Sequence, residues 1–140
     1  MNNDNKTSIF IVEDNNVYAK SLKTFIHSRF SAINDIKIFR IGELSLLELD
    51  HNPDIVIMDY FLNSKYHEAN NGLEIIEQIK EKKPKTNIIL LSSQEDFNIV
   101  IDAIRKYSCL YVHKDQQAFN KVEQIISGII NTEKPSSDEV

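Results

Sequence analysis

The chain has 140 residues, 41% of them apolar, which suits one globular domain with a proper core and leaves too little for two. A formal charge of −5 and a sequence pI of about 5.3 argue against a broad nucleic-acid footprint, which needs clustered Lys and Arg. The single cysteine, Cys109, allows no intramolecular disulfide, and no apolar run approaches the roughly 18 residues of a membrane helix.

The opening MNNDNKTS lacks a basic stretch followed by an apolar core, so an unprocessed, soluble protein of the reducing cytoplasm is expected. The first apolar run, Ser8 to Val12, has strand length and is followed by a helical pattern on Val17, Leu22, Phe25, Ile26 and Phe30. A second strand is predicted at Ile36 to Phe39, with Gly42 opening a short helix over Glu43 to Leu49. Pro53 precedes a third strand, Asp54 to Met58, whose four central residues are all apolar. The polar stretch NSKYHEANN, Asn63 to Asn71, reads as a surface loop, and Gly72 leads into a helix on Leu73, Ile75, Ile76 and Ile79 that Pro84 closes. Its basic end, KEKKPK, reads as a solvated helix terminus whose positive charges are favourable at the negative end of the helix dipole. Strand four is predicted at Asn87 to Leu91, a helix on Phe97, Val100, Ile101 and Ile104 follows, and strand five lies at Cys109 to Val112. A last helix carries Phe119, Val122, Ile125, Ile126, Ile129 and Ile130, and the remainder, residues 132–140, reads as a tail or the start of a linker. Strict alternation with near-continuous apolar strands predicts an α/β fold with a parallel sheet covered on both faces. There are three glycines and no glycine-rich phosphate loop, which argues against a dinucleotide-binding domain or a nucleotide triphosphatase.

In open parallel sheets the ligand site lies beyond the carboxyl ends of the strands. Those ends carry Glu13 and Asp14, Asp59, Ser92 and Ser93, and His113 and Lys114. Three carboxylates that close would raise one another's pKa values unless a cation sits among them. Oxygen ligands without a suitably placed Cys or His point to Mg²⁺. Lys114 and the Ser92 hydroxyl, with a metal, suit the oxygens of a phosphoryl group, so phosphoryl transfer onto a carboxylate is the chemistry expected. Taken singly, Asp59 could be a strand-end cap and Glu13 or Asp14 the cap of the first helix. The four histidines show no ligand spacing and read as surface or satisfied side chains.

With Glu13-Asp14 after strand one, Asp59 after strand three, Ser92 after strand four and Tyr111 three residues before Lys114, the chain resembles the receiver domain of two-component response regulators over roughly Ser8 to Asn131. The resemblance implies a flavodoxin-like (βα)5 doubly wound fold with strand order 2-1-3-4-5, and a receiver unit over residues 1–131. It implies that Asp59 accepts a phosphoryl group from a sensor histidine kinase or histidine phosphotransfer protein. Mg²⁺ would be held by Glu13, Asp14, Asp59 and the backbone carbonyl of Phe61. Lys114 and Ser92 would bond the phosphoryl oxygens, and Tyr111 would follow Ser92 inward to repack the face of helix four, strand five and helix five. That face would meet a downstream protein target, an output domain or a second copy. Phe61 and Gln94 would tune the phosphoryl lifetime. A receiver catalyses only its own phosphorylation and dephosphorylation and is not otherwise an enzyme.

Several positions depart from the family pattern. The loop from Tyr60 to Gly72 is longer, Tyr107 and Ser108 replace a Gly-Ala pair, and Asp115 stands where a proline is usual, so a cis peptide after Lys114 is not expected. Two alternatives compete. A phosphatase of the haloacid dehalogenase type also uses a strand-end aspartate but needs a second acid two residues on, where this chain has Phe61. A degenerate receiver would bind partners without phosphorylation.

Overall fold

A computed structural model of the chain describes residues 7–60, 72–93 and 97–133. In chain order the elements are β1 (Ser8–Val12), α1 (Asn16–Arg29), β2 (Asp35–Phe39), α2 (Gly42–Leu46), a 3-10 turn (Leu49–His51), β3 (Ile55–Asp59), α3 (Gly72–Lys82), β4 (Asn87–Ser92), α4 (Phe97–Tyr107), β5 (Leu110–His113) and α5 (Ala118–Glu133). All the strand pairs are parallel and the order is β2-β1-β3-β4-β5, as expected.

Every residue of β1 and β3 is buried, which is why these strands read as unbroken apolar runs. Alternate side chains go to opposite faces. Ile9, Ile11, Ile55, Ile57, Ile89 and Leu91 pack with Ala19, Leu22 and Ile26 of α1 and Val122 and Ile126 of α5. Phe10, Val12, Val56, Met58, Ile88 and Leu90 pack instead with Ile75, Ile76 and Ile79 of α3. Two separate cores therefore clamp the sheet.

The differences from the sequence reading are local and have local causes. Val17, counted on the inward stripe of the first helix, is 75% exposed; it lies five residues before Leu22, off the three-to-four spacing that keeps side chains on one face. Tyr18, one turn before Leu22, takes the inward place instead. Strand three starts one residue later than predicted because Asp54 serves as a cap: its Oδ2 accepts from Ser8 N at 2.8 Å, and its own N–H donates to Ser8 O at 2.8 Å. At its other end the strand runs on to Asp59, which pairs in register with Leu91 of β4. Strand five begins at Leu110, since Ser108 has φ 57°, a left-handed geometry that cannot enter a strand. The second helix is cut to Gly42–Leu46 before the 3-10 turn. Nor is the KEKKPK segment only solvated: Lys80 Nζ donates to Thr86 O at 2.7 Å, just before β4, and Lys83 Nζ donates to Asn52 Oδ1 at 2.6 Å, at the end of the 3-10 turn that leads to β3.

Gly72 is required by space. A Cβ there would stand 2.7 Å from the carbonyl oxygen of Tyr60 and 3.0 Å from its ring. Tyr60 is itself pinned by its N–H to Leu91 O at 2.9 Å, so the backbone has little room to give. Alanine normally gains up to about 1 kcal/mol over glycine inside a helix. At Gly72 we expect the opposite sign: Gly72→Ala lowers stability by about 1 to 3 kcal/mol, seen as a lower urea midpoint at unchanged slope. A variant at least as stable as the parent would contradict this packing.

Candidate phosphoryl-transfer site

The carboxyl ends of β1 and β3 place Glu13 and Asp59 side by side in the crevice. Glu13 is 2% exposed and Asp59 6% exposed. The backbone N–H of Glu13 donates to Phe39 O at 2.9 Å, which ends β1 against β2 and turns the chain toward α1. Asn15, not Glu13 or Asp14, caps α1: its Oδ1 accepts from Tyr18 N at 3.0 Å. Glu13 supports the cap through Oε2, which accepts from Asn15 N at 3.1 Å. Glu13 Oε1 is left facing the crevice, where Lys114 Nζ lies 2.9 Å away.

Lys114 follows β5, and its backbone N–H donates to Ser92 O at 2.9 Å. The ammonium reaches across to Glu13 and also stands 3.4 Å from Asp59 Oδ2. Asp14 completes the acidic group: one oxygen from each of Glu13, Asp14 and Asp59 lies within 4.8 Å of the others. Ser92, the last residue of β4, is fully buried and pairs in register with His113. Tyr111 lies on β5 with its hydroxyl 3.3 Å from His113 Nδ1, a contact between residues on one face of the strand. Phe61 and Gln94 lie outside the described residues.

The electrostatics follow from three carboxyl groups confronting one ammonium. Burial, reinforced by the neighbouring charge of Glu13 and opposed by Lys114, pushes the Asp59 carboxyl up to about 7. Burial pulls Lys114 down, but its hydrogen bond to Glu13 and the charges of Asp59 and Glu13 prevail and hold it above its ordinary value. Among the described residues the site is short of positive charge.

One member of the site escaped the sequence reading. Tyr18 presents its ring to Lys114, with Nζ 4.5 Å from the ring centroid. Burial first, then Glu13 and Asp59, raise its phenol pKa against the pull of Lys114. The available signal was its spacing: Tyr18 is four residues past Asp14, one turn along the helix that leaves the acidic pair.

A family model of the response regulator receiver domain matches residues 9–126. The chain belongs to that family. This receiver domain is 29% identical over 125 residues to the transcriptional regulatory protein YdfI of Bacillus subtilis (strain 168), a match covering 86% of the chain and 55% of that protein. It is 30% identical over 116 residues to the uncharacterized transcriptional regulatory protein YhcZ of the same organism, covering 78% and 49%. The chain thus spans about half the length of the curated relatives it matches. Among solved structures, the N-terminal domain of a response regulator/sensory box/GGDEF 3-domain protein from Carboxydothermus hydrogenoformans matches with a TM-score of 0.72 at 20% identity, over 90% of this chain and 95% of that one. At that identity the likeness speaks for the fold alone.

The protein is therefore a receiver domain of two-component signalling, a class that interacts with histidine kinases and downstream effectors and binds Mg²⁺ through acidic residues. The residues present fit such an ion: Glu13, Asp14 and Asp59 offer clustered hard oxygen donors, and the raised Asp59 pKa marks a need for added positive charge. No helix among the described residues is long and apolar enough to cross a membrane.

Proposed function

We propose that Asp59 is the phosphoacceptor, that Glu13, Asp14 and Asp59 hold Mg²⁺, and that Lys114 and Ser92 receive the phosphoryl oxygens. The observation that carries this reading is the placement of one ammonium within 2.9 Å of Glu13 and 3.4 Å of Asp59 at the carboxyl ends of neighbouring strands. In the transfer, an ionised Asp59 oxygen attacks the phosphorus of a phosphohistidine, a P–O bond forms, and the P–N bond breaks with its electron pair returning to the imidazole, which takes up a proton. When bound, Mg²⁺ supplies charge that offsets repulsion between the carboxylates and the incoming phosphoryl group. Lys114 contributes the remaining positive charge and is already held at the strand ends, so little reorganisation accompanies transfer. Ser92 donates its hydroxyl to the phosphoryl group, and Tyr111 moves with it. Phosphorylation shifts the conformational equilibrium only by as much as these contacts differ between the two states. The face formed by α4, β5 and α5 is the surface on which an effector, or a second copy, would read the change. Phe61 would add its carbonyl to the metal and, with Gln94, set how long the phosphoryl group persists. On this reading the domain turns over only its own aspartyl phosphate.

Acetyl phosphate with Mg²⁺ tests this reading. Intact-mass measurement is expected to show one added phosphoryl group that survives isolation. Rapid release of phosphate without accumulation would instead indicate a phosphatase, and no reaction a receiver that works without phosphorylation.

A further inference from the structure

The position of Lys114 needs an explanation, because a lysine side chain has considerable rotamer entropy to lose and this one crosses from the end of β5 to reach carboxylates at the ends of two other strands. It is 18% exposed, so its seat is largely enclosed. Glu13 and Asp59 draw the ammonium from one side. The ring of Tyr18 lies against it, with Nζ 4.5 Å from the centroid, well inside the roughly 6 Å over which an aromatic face attracts a cation.

The ring is itself held. Tyr18 meets Phe119 of α5 edge to face at 5.4 Å, and Phe119 meets Phe25 at 5.3 Å. Arg29 then covers the Phe25 ring at 4.6 Å while pairing with Glu123 of α5 at 3.3 Å. At its backbone, the Tyr18 N–H donates to the capping Asn15 Oδ1, and the Asn15 N–H donates to Glu13. One capped turn thus carries both the carboxylate and the aromatic face between which the ammonium sits.

We propose that Tyr18 is a positioning residue for Lys114, its ring holding the ammonium at Glu13 and Asp59 where the phosphoryl group arrives. The consequence for phosphorylation rests on the phosphoacceptor reading above, but the seat itself does not. The ring face is the active feature, so Tyr18→Phe keeps the function and Tyr18→Leu, which retains apolar bulk beside Phe119, loses it.

Two measurements test the proposal. In carbon-resolved NMR spectra, the ε-methylene protons of Lys114 are expected to be shifted upfield by the ring in the wild type and in Tyr18→Phe, and to return to ordinary lysine positions in Tyr18→Leu. Under acetyl phosphate and Mg²⁺, Tyr18→Leu is expected to take up phosphoryl groups about tenfold more slowly, with Tyr18→Phe within about twofold of wild type. Should Tyr18→Leu fail to fold, Tyr18→Met serves in its place, and the wild-type spectrum decides in any case. The proposal is overturned by an unshifted Lys114 in the wild type, by unchanged uptake in a folded Tyr18→Leu or Tyr18→Met, or by a Tyr18→Phe as slow as Tyr18→Leu. If the wild type accepts no phosphoryl group, the phosphoacceptor reading fails, and the spectra alone then support or refute the seat.

Discussion

An Asp59→Asn variant is expected to accept no phosphoryl group and, without divalent metal, to be more stable than the wild type above neutral pH. The first outcome follows from loss of the nucleophile. The second follows from the raised pKa. With Asp59 pushed up to about 7, the folded state retains a proton between about pH 4 and pH 7 that the unfolded chain releases. Stability from this group therefore falls as pH rises through that window. Below about pH 4 both states are protonated and the penalty vanishes; above about pH 7 it is complete. Asparagine removes the charge, so the variant should gain about 2 to 4 kcal/mol at pH 8 and almost nothing at pH 4. Urea unfolding of both proteins across this range in chelator measures the difference. Added Mg²⁺ should narrow it, because an ion bound by the folded wild type stabilises that state by mass action. A variant less stable than wild type at pH 8, or a gap unchanged by pH, would refute this view of the site.

Lys114→Met should move stability in the other direction. Methionine keeps much of the side-chain bulk but removes the one ammonium that, among the described residues, pairs with Glu13 and Asp59. Glu13 would then be left almost wholly buried with one oxygen deprived of its cation. Breaking a buried pair by removing one partner costs roughly 3 to 5 kcal/mol, and because the lysine retains some exposure we expect about 2 to 4 kcal/mol at pH 8 without metal. The lysine is held above its ordinary pKa, so its contribution is fully present at pH 8 and would be lost only as pH rises through that raised value. Phosphoryl uptake should fall by at least about 100-fold, the scale seen when a fixed donor to developing charge is deleted. Calorimetry or urea unfolding reads the first effect and intact-mass kinetics the second. Wild-type stability would show that the ammonium is not bound as its distances imply. Wild-type uptake would remove Lys114 from the chemistry.

These two substitutions concern residues that the order of the chain already brings forward. Short apolar runs separated by amphipathic helices encode a parallel sheet, since a strand buried on both faces must be apolar at consecutive positions and a helix packed on it need be apolar on only one side. With that architecture the ends of β1, β3 and β5 become the place to look, and Glu13, Asp14, Asp59 and Lys114 are legible there before any coordinate is known. Local pattern failed at Val17 and Asp54. A one-residue error on α1 rotates the inward stripe, and a strand end depends on which backbone groups find partners across the sheet, something no single segment contains.

The sequence by itself determined the class of fold, the acidic character of the crevice and the chemistry those residue types allow, because these depend on periodicity and on order along the chain. Only the tertiary structure decided that Asn15 takes the helix cap and leaves Glu13 to Lys114, that burial, ahead of the neighbouring charges, raises the Asp59 pKa, and that Tyr18 closes over the ammonium. Each of these depends on distances between atoms from different strands and helices, and such distances exist only once the two cores have packed against the sheet.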